Sequence, residues 1–208
     1  MSTTRSAPSR APLDHALELL ERATSYTRVQ LQVVSPAMLS RPTPCARWAL
    51  ADLLDHMVDS LDTLAEAADL SQFRRDGVDL DTIAGATLVP RMPTSSVGAV
   101  DRLRDRACRL LATWSAVARH DDVTIGDKAL SSSVLACAGA LEVAVHGWDV
   151  SQATGTCEPI PAVLARDLLI WADVLVTDDD RPTRFDHPVD GPSVGPSSRL
   201  LRMLGREP

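Results

Sequence analysis

The sequence predicts an all-α protein, a helical bundle of four long helices with a shorter fifth. Apolar residues recur at three- and four-residue steps through four stretches of about twenty residues each. Prolines fall between those stretches and not inside them, and almost no segment alternates apolar with polar residues as a strand would.

The first helix is predicted from Leu13 to about Val34, where Leu13, Ala16, Leu17, Leu20, Ala23, Val29, Leu31 and Val34 keep helical spacing and Pro36 marks the end. A proline-punctuated link, SPAMLSRPTPCARW, leads to a second helix from about Ala49 to Asp69, striped by Leu50, Leu53, Leu54, Met57, Val58, Leu61, Leu64, Ala65 and Ala68. His56 sits beside that stripe. Residues 70–94 mix charge, Gly and Pro, which predicts a loop with a short helical turn around Leu80 to Ala86. A third helix follows from about Ser95 to Ala118, opened by serine capping and striped by Val97, Val100, Leu103, Ala107, Leu110, Leu111 and Trp114. RHDDVTIGDKA reads as a polar crossing. The fourth helix runs from about Leu130 to Ala153, closed by Gly155, and the fifth from Ala162 to about Val176. The Pro-rich remainder is expected to lie irregularly over the bundle, with RLLRMLGREP adding a terminal turn.

Composition narrows the function classes. The chain has 208 residues, 45% hydrophobic and 24% charged, which suits one globular domain over 13–208 behind a flexible segment at 1–12. A net charge of −7 and a pI near 5.1 argue against a grip on nucleic acid. The polar N-terminus lacks the apolar core of a signal peptide and no run is long enough to span a bilayer, so a cytoplasmic protein without membrane contact is expected. Four cysteines without a CxxC pair fit reduced thiols. Cys108 and Cys137, in apolar helical runs, read as small buried residues. Cys45 stands at a predicted helix entrance, where a helix N-terminus lowers a thiol's pKa, so a reactive role is also open to it.

The stretch GALEVAVHGWDVSQATG carries the chemistry. Glu142 and His146 lie four residues apart, a step of about 40° and roughly 6 Å on a helix, so they share one face, and Asp149 returns to it. A carboxylate in so apolar a helix needs a partner, either another side chain or a metal ion. His15, His120 and His187 fall in polar or irregular surroundings, whereas His56 and His146 sit in apolar helical stretches. If the second and fourth helices pack with these faces together, His56, Glu142 and His146 form a three-ligand metal site with an open position. Such donors suit zinc best, with nickel, iron and manganese as alternatives. The plainer reading is two hydrogen-bonded core histidines and a local Glu–His ion pair. Asp149 either fixes the His146 tautomer or caps a turn. Trp48 and Trp148 read as core packing more readily than as pocket walls.

These residues resemble a known family. TPCARWALADLLDHMV is similar to the first signature of the DinB-like superfamily in its mycothiol-dependent maleylpyruvate isomerase branch, where a TPC..W entry precedes a helix bearing a metal-binding His. LEVAVHGWDVSQATG resembles the second, where Glu and His four apart complete the site. RLLRMLGREP resembles the tail of a group of small metal-binding proteins in that superfamily. The resemblance implies an up-down-down-up four-helix bundle with His56, Glu142 and His146 as metal ligands. It also implies a divalent metal that activates the thiolate of mycothiol or bacillithiol for transfer or isomerisation. The expected partners are thus a small-molecule thiol and a small substrate, with a homodimer left open. Two departures stand out: the isomerase branch adds a C-terminal domain that is not recognised here, and Ala49 occupies the place of the usual capping Thr or Ser. The expectation is therefore a metal- and thiol-dependent transferase or isomerase acting on something other than maleylpyruvate. A metal-dependent hydrolase and a noncatalytic metal-binding or interaction protein are the alternatives.

Overall fold

A computed structural model describes residues 11–45, 48–75, 98–116, 122–125, 128–181 and 185–208. Its helices are α1 (Ala11–Leu31), α2 (Leu50–Arg75), α3 (Ala99–Ala116), α4 (Ser132–Thr154), α5 (Ala162–Leu175) and α6 (Pro196–Met203). The helical turn expected at Leu80 to Ala86, the serine cap of the third helix, His120 and most of the N-terminal segment lie outside the described residues. Four helices pack in a ring in which α1 meets α4, α4 meets α2, α2 meets α3 and α3 meets α1. The fold is an all-α bundle, as the apolar periodicity predicts.

The ring follows from the apolar stripes. Leu19, Leu20 and Ala23 of α1, Leu50, Leu53, Leu54 and Leu61 of α2 and Leu103 of α3 share one buried core with the apolar residues of α4. Burial of most of its residues is what the largely apolar sequence of α4 dictates, and within the ring it packs against α1 and α2, with α5 on a further side. Gly147 allows the closest approach: a Cβ there would stand 2.2 Å from Thr27 Oγ1, and that hydroxyl donates to the Val143 carbonyl at 2.7 Å. Thr27 thus ties α1 to α4 one turn from His146.

Two short antiparallel strands, β1 (Asp122–Ile125) and β2 (Lys128–Ser131), replace the expected polar crossing, and β2 takes Leu130 from the start of the predicted fourth helix. The intervening pair Gly126-Asp127 is a hairpin signal in the sequence. The last expected turn is a full helix. In α6, Leu200 and Leu201, with Leu204 just beyond, are buried in the common core, and α6 packs against α5.

α6 ends in a Schellman motif, the Gly205 N–H donating to the Arg202 carbonyl and the Arg206 N–H to the Leu201 carbonyl at 2.8 Å. Gly205 has φ +80°, and a Cβ there would meet Asp186 at 2.5 Å, so glycine is required twice over. This turn sends Arg206 back into the protein.

Candidate metal centre

α2 starts without a capping hydroxyl. The Leu50 and Ala51 N–H groups instead donate to the carbonyls of Arg41 and Leu39, each at 2.9 Å, while Asp52 Oδ2 accepts from the Ala49 N–H at 3.0 Å. The link before the helix therefore serves as its cap, and Ala49 costs little. Arg41 also donates to the Ala153 and Thr154 carbonyls, fastening the same link to the C-terminal end of α4.

With both helices so placed, their polar residues meet. His56 Nε2 lies 2.7 Å from Glu142 Oε1, and His146 Nε2 lies 3.3 Å from the same oxygen. Ser60, one turn after His56, donates its hydroxyl to that oxygen at 3.2 Å. The two imidazoles stand edge to face with centroids 5.1 Å apart. Solvent reaches the site unevenly: the side chains of His56 and Glu142 are 34% and 28% exposed, that of His146 8%.

Behind His146 lies a second layer. Asp149 Oδ2 accepts from His146 Nδ1 at 2.8 Å, and the Asp149 side chain is fully buried. Of the two roles open to Asp149, the structure thus has the partner of His146 and not a surface cap. A bond at Nδ1 leaves Nε2 to face Glu142 and His56.

Electrostatics bind the layers. Burial pushes the Glu142 carboxyl up, but the charge and hydrogen bond of His146, joined by His56, hold it well below its ordinary range. Burial disfavours a charged His146, yet Glu142, Asp149 and Cys45 together hold its imidazolium well above the usual histidine range. Asp149 is likewise raised by burial and lowered on balance by Arg206 and His146.

The donor set fits a divalent ion. Bonds of 2.0–2.2 Å in a tetrahedral site place neighbouring ligand atoms about 3.3 Å apart. His146 Nε2 and Glu142 Oε1 already have that spacing, and His56 would retreat from its hydrogen-bond distance by roughly half an ångström. All three donor atoms lie within 4.8 Å of one another. Two nitrogens and one oxygen leave a coordination position for a further ligand, the pattern of catalytic rather than structural sites.

The other candidates sort differently. Cys45 is not at a helix entrance, since α2 begins at Leu50; it sits in the preceding loop with Sγ 3.4 Å from Asp149 Oδ2. With His146 and Asp149 it forms a second close donor group, on the far side of the imidazole. Cys137 is buried, its thiol pushed up to about 12 by burial, whereas Cys108 is exposed, contrary to the expectation of a buried residue. It stands off the apolar stripe, about 100° round α3 from Ala107, which packs against the core. Trp148 is core. Trp48 both packs against the core and covers the histidines, its ring centroid 4.5 Å from that of His56 and 6.2 Å from that of His146. His15 and His187 are exposed and outside the cluster.

Sequence reasoning missed Arg206. Its guanidinium reaches Asp149 Oδ2 from Nη2 at 3.0 Å and Oδ1 from Nε at 3.4 Å, donates to the Leu204 carbonyl, and touches Cys45 Sγ at 3.5 Å. The available signal was Asp149 itself, an acid in an apolar helix that needed a cation from elsewhere.

No solved structure matches the chain. Among curated proteins, "Uncharacterized protein Rv0738" and "Uncharacterized protein MT0763", from two strains of Mycobacterium tuberculosis, are each 23% identical over 196 residues, covering 89% of this chain and 94% of theirs. The family model described as mycothiol maleylpyruvate isomerase N-terminal domain matches residues 20–151, a span that holds His56, Glu142 and His146. On that match over more than half its length, the chain belongs to the mycothiol maleylpyruvate isomerase N-terminal domain family, within the DinB-like superfamily.

Proposed function

We propose that this protein binds one divalent metal ion through His56, Glu142 and His146, and that the ion serves a low-molecular-weight thiol in transfer or isomerisation chemistry. The observation that carries the reading is the convergence of two imidazole nitrogens and one carboxylate oxygen within 4.8 Å, with His56 and Glu142 partly exposed to solvent. Family membership supports a thiol partner, mycothiol or bacillithiol, and the donor types favour zinc, then nickel, iron or manganese.

When bound, such an ion supplies the positive charge that keeps a thiol deprotonated at neutral pH. The chain's own residues do the rest. Ser60 orients the Glu142 oxygen by its hydrogen bond, and Asp149 holds His146 by Nδ1 so that Nε2 faces the cluster. Trp48 packs on both imidazoles and restrains their rings. Unpaired cysteines fit the reducing cytoplasm where such thiols work. We take residues 13–208 as the unit that performs the function.

A cobalt-substituted sample tests the thiol assignment. Mycothiol, bacillithiol and glutathione are added separately and the sulfur-to-metal charge-transfer band is recorded. A band with one thiol alone supports a thiol-dependent transferase or isomerase and names its cofactor. No band with any of them, cobalt remaining bound, rules out the thiol and leaves hydrolytic or noncatalytic use of the metal.

A further inference from the structure

The C-terminal segment reaches the candidate centre from the far end of the sequence. Arg206 is 57 positions from Asp149, and both are buried. Its fork engages both Asp149 oxygens, and Nη2 also contacts the Cys45 sulfur. One guanidinium thereby joins the tail, the loop before α2 and the central helix α4. Resting on the proposed metal site, we infer that Arg206 is a positioning residue for it: Arg206 fixes the Asp149 carboxylate, Asp149 fixes His146 through Nδ1, and His146 Nε2 is thereby aimed at the ion.

The alternatives for Asp149 explain why an arginine is needed. With only the imidazole and the weak Cys45 thiol as donors, the buried carboxylate would turn towards other partners, and His146 would be free to rotate with it. Arginine meets the carboxylate with two donors in a fixed plane, so it sets orientation as well as charge; lysine offers a point charge alone. The backbone is arranged for this contact. The Schellman turn at Gly205 presents Arg206 inward, and Leu200, Leu201 and Leu204 hold α6 in place. Arg206 lies outside the span 20–151 that carries the family match, so the centre draws one component from beyond it.

If the tail orients the ligand, the ligand must in turn steady the tail, because a coupling between two sites acts equally in both directions. Metal loading should slow amide exchange at Leu204 to Arg206, whose N–H groups bond within the terminal turn.

The experiment measures zinc affinity by chelator competition for the wild-type protein, Arg206→Met, Arg206→Lys, Asp149→Asn and the Arg206→Met/Asp149→Asn double variant. The relay predicts roughly 10–100-fold weaker zinc binding for Arg206→Met, partial recovery with Lys, and a double variant no worse than the poorer single one. A change below about twofold for Arg206→Met, or fully additive losses, overturns it. Two further readouts stand apart from the measured affinities of the variants, and the first needs no variant at all. In wild-type protein, exchange at residues 204–206 must slow on loading; unchanged exchange overturns the coupling. In metal-free protein, the His146 Nδ1–H resonance must move in Arg206→Lys; an unmoved resonance contradicts the relay, whereas wild-type protein that takes up no zinc contradicts the metal assignment instead.

Discussion

His56 and Glu142, 86 positions apart in sequence and on different helices, meet with Nε2 and Oε1 separated by 2.7 Å. Only the packing of α2 on α4 makes that contact, and it turns a local Glu–His pair into a three-donor cluster. Glu142→Gln keeps the shape and a hydrogen-bonding oxygen but removes the charge. The expected result is at least about a 100-fold loss of zinc affinity, since even partners of a ligand are worth 10–100-fold. Chelator competition measures it, and affinity unchanged by Glu142→Gln would put the ion elsewhere.

Metal should stabilise the fold. Free zinc at about 100 times its Kd adds roughly 2.7 kcal/mol if only the native state binds, and at roughly 2–4 °C per kcal/mol for a chain of this size Tm rises by about 5–11 °C. Differential scanning calorimetry with and without chelator reads the shift. No shift in protein shown to hold zinc would mean a surface-bound ion.

The metal-free protein should have a defined pH optimum. The folded-state carboxyls of Glu142 and Asp149 lie below their ordinary values of 4.5 and 3.8, so their contribution is present above that range and is lost as pH falls through the lowered values. His146 lies above its ordinary 6.5, so its contribution is full below that value and is lost as pH rises through the raised one. Stability should therefore be greatest between about pH 5 and 6.5 and decline on both sides, as urea midpoints across pH would record. His146→Gln should remove the alkaline decline; its persistence would assign that limb to another group.

The approach of α1 to α4 gives a fourth prediction. Gly147→Ala places a Cβ 2.2 Å from Thr27 Oγ1 and should cost about 1–3 kcal/mol of stability. Thr27→Ala in the same chain should recover part of the loss, because Thr27 Oγ1 is the nearest atom, though Cβ and Cα remain close at 3.0 and 3.2 Å. Denaturant unfolding measures both, and a neutral Gly147→Ala would show that the helices can part without penalty.

What was legible in the sequence was whatever periodicity governs. Most of the α1 and α2 stripes, the span of α4 and the closing Gly155, which has φ +86°, lie where spacing and glycine chemistry put them, whereas Val29 of the α1 stripe is exposed and α1 ends at Leu31 and not at Val34. His56, Glu142 and His146 stood out because ionisable groups in apolar helices are costly and need company. Spacing does not carry partners that arrive through tertiary packing. Arg206 sits in a polar tail and is buried only because three leucines dock α6, and Cys45 reaches Asp149 only because its loop folds back over the start of α2. The exposure of Cys108, by contrast, was legible in the spacing, since it stands about 100° round α3 from Ala107 and off the apolar stripe.

Elemental analysis of purified protein beside His146→Ala tests the central claim most directly. His146 supplies one donor to the cluster and is the most buried of the three. The account predicts about one divalent metal ion per wild-type chain and less than roughly a tenth of that in His146→Ala after passage over a chelating column. Equal metal content in the two proteins would contradict it.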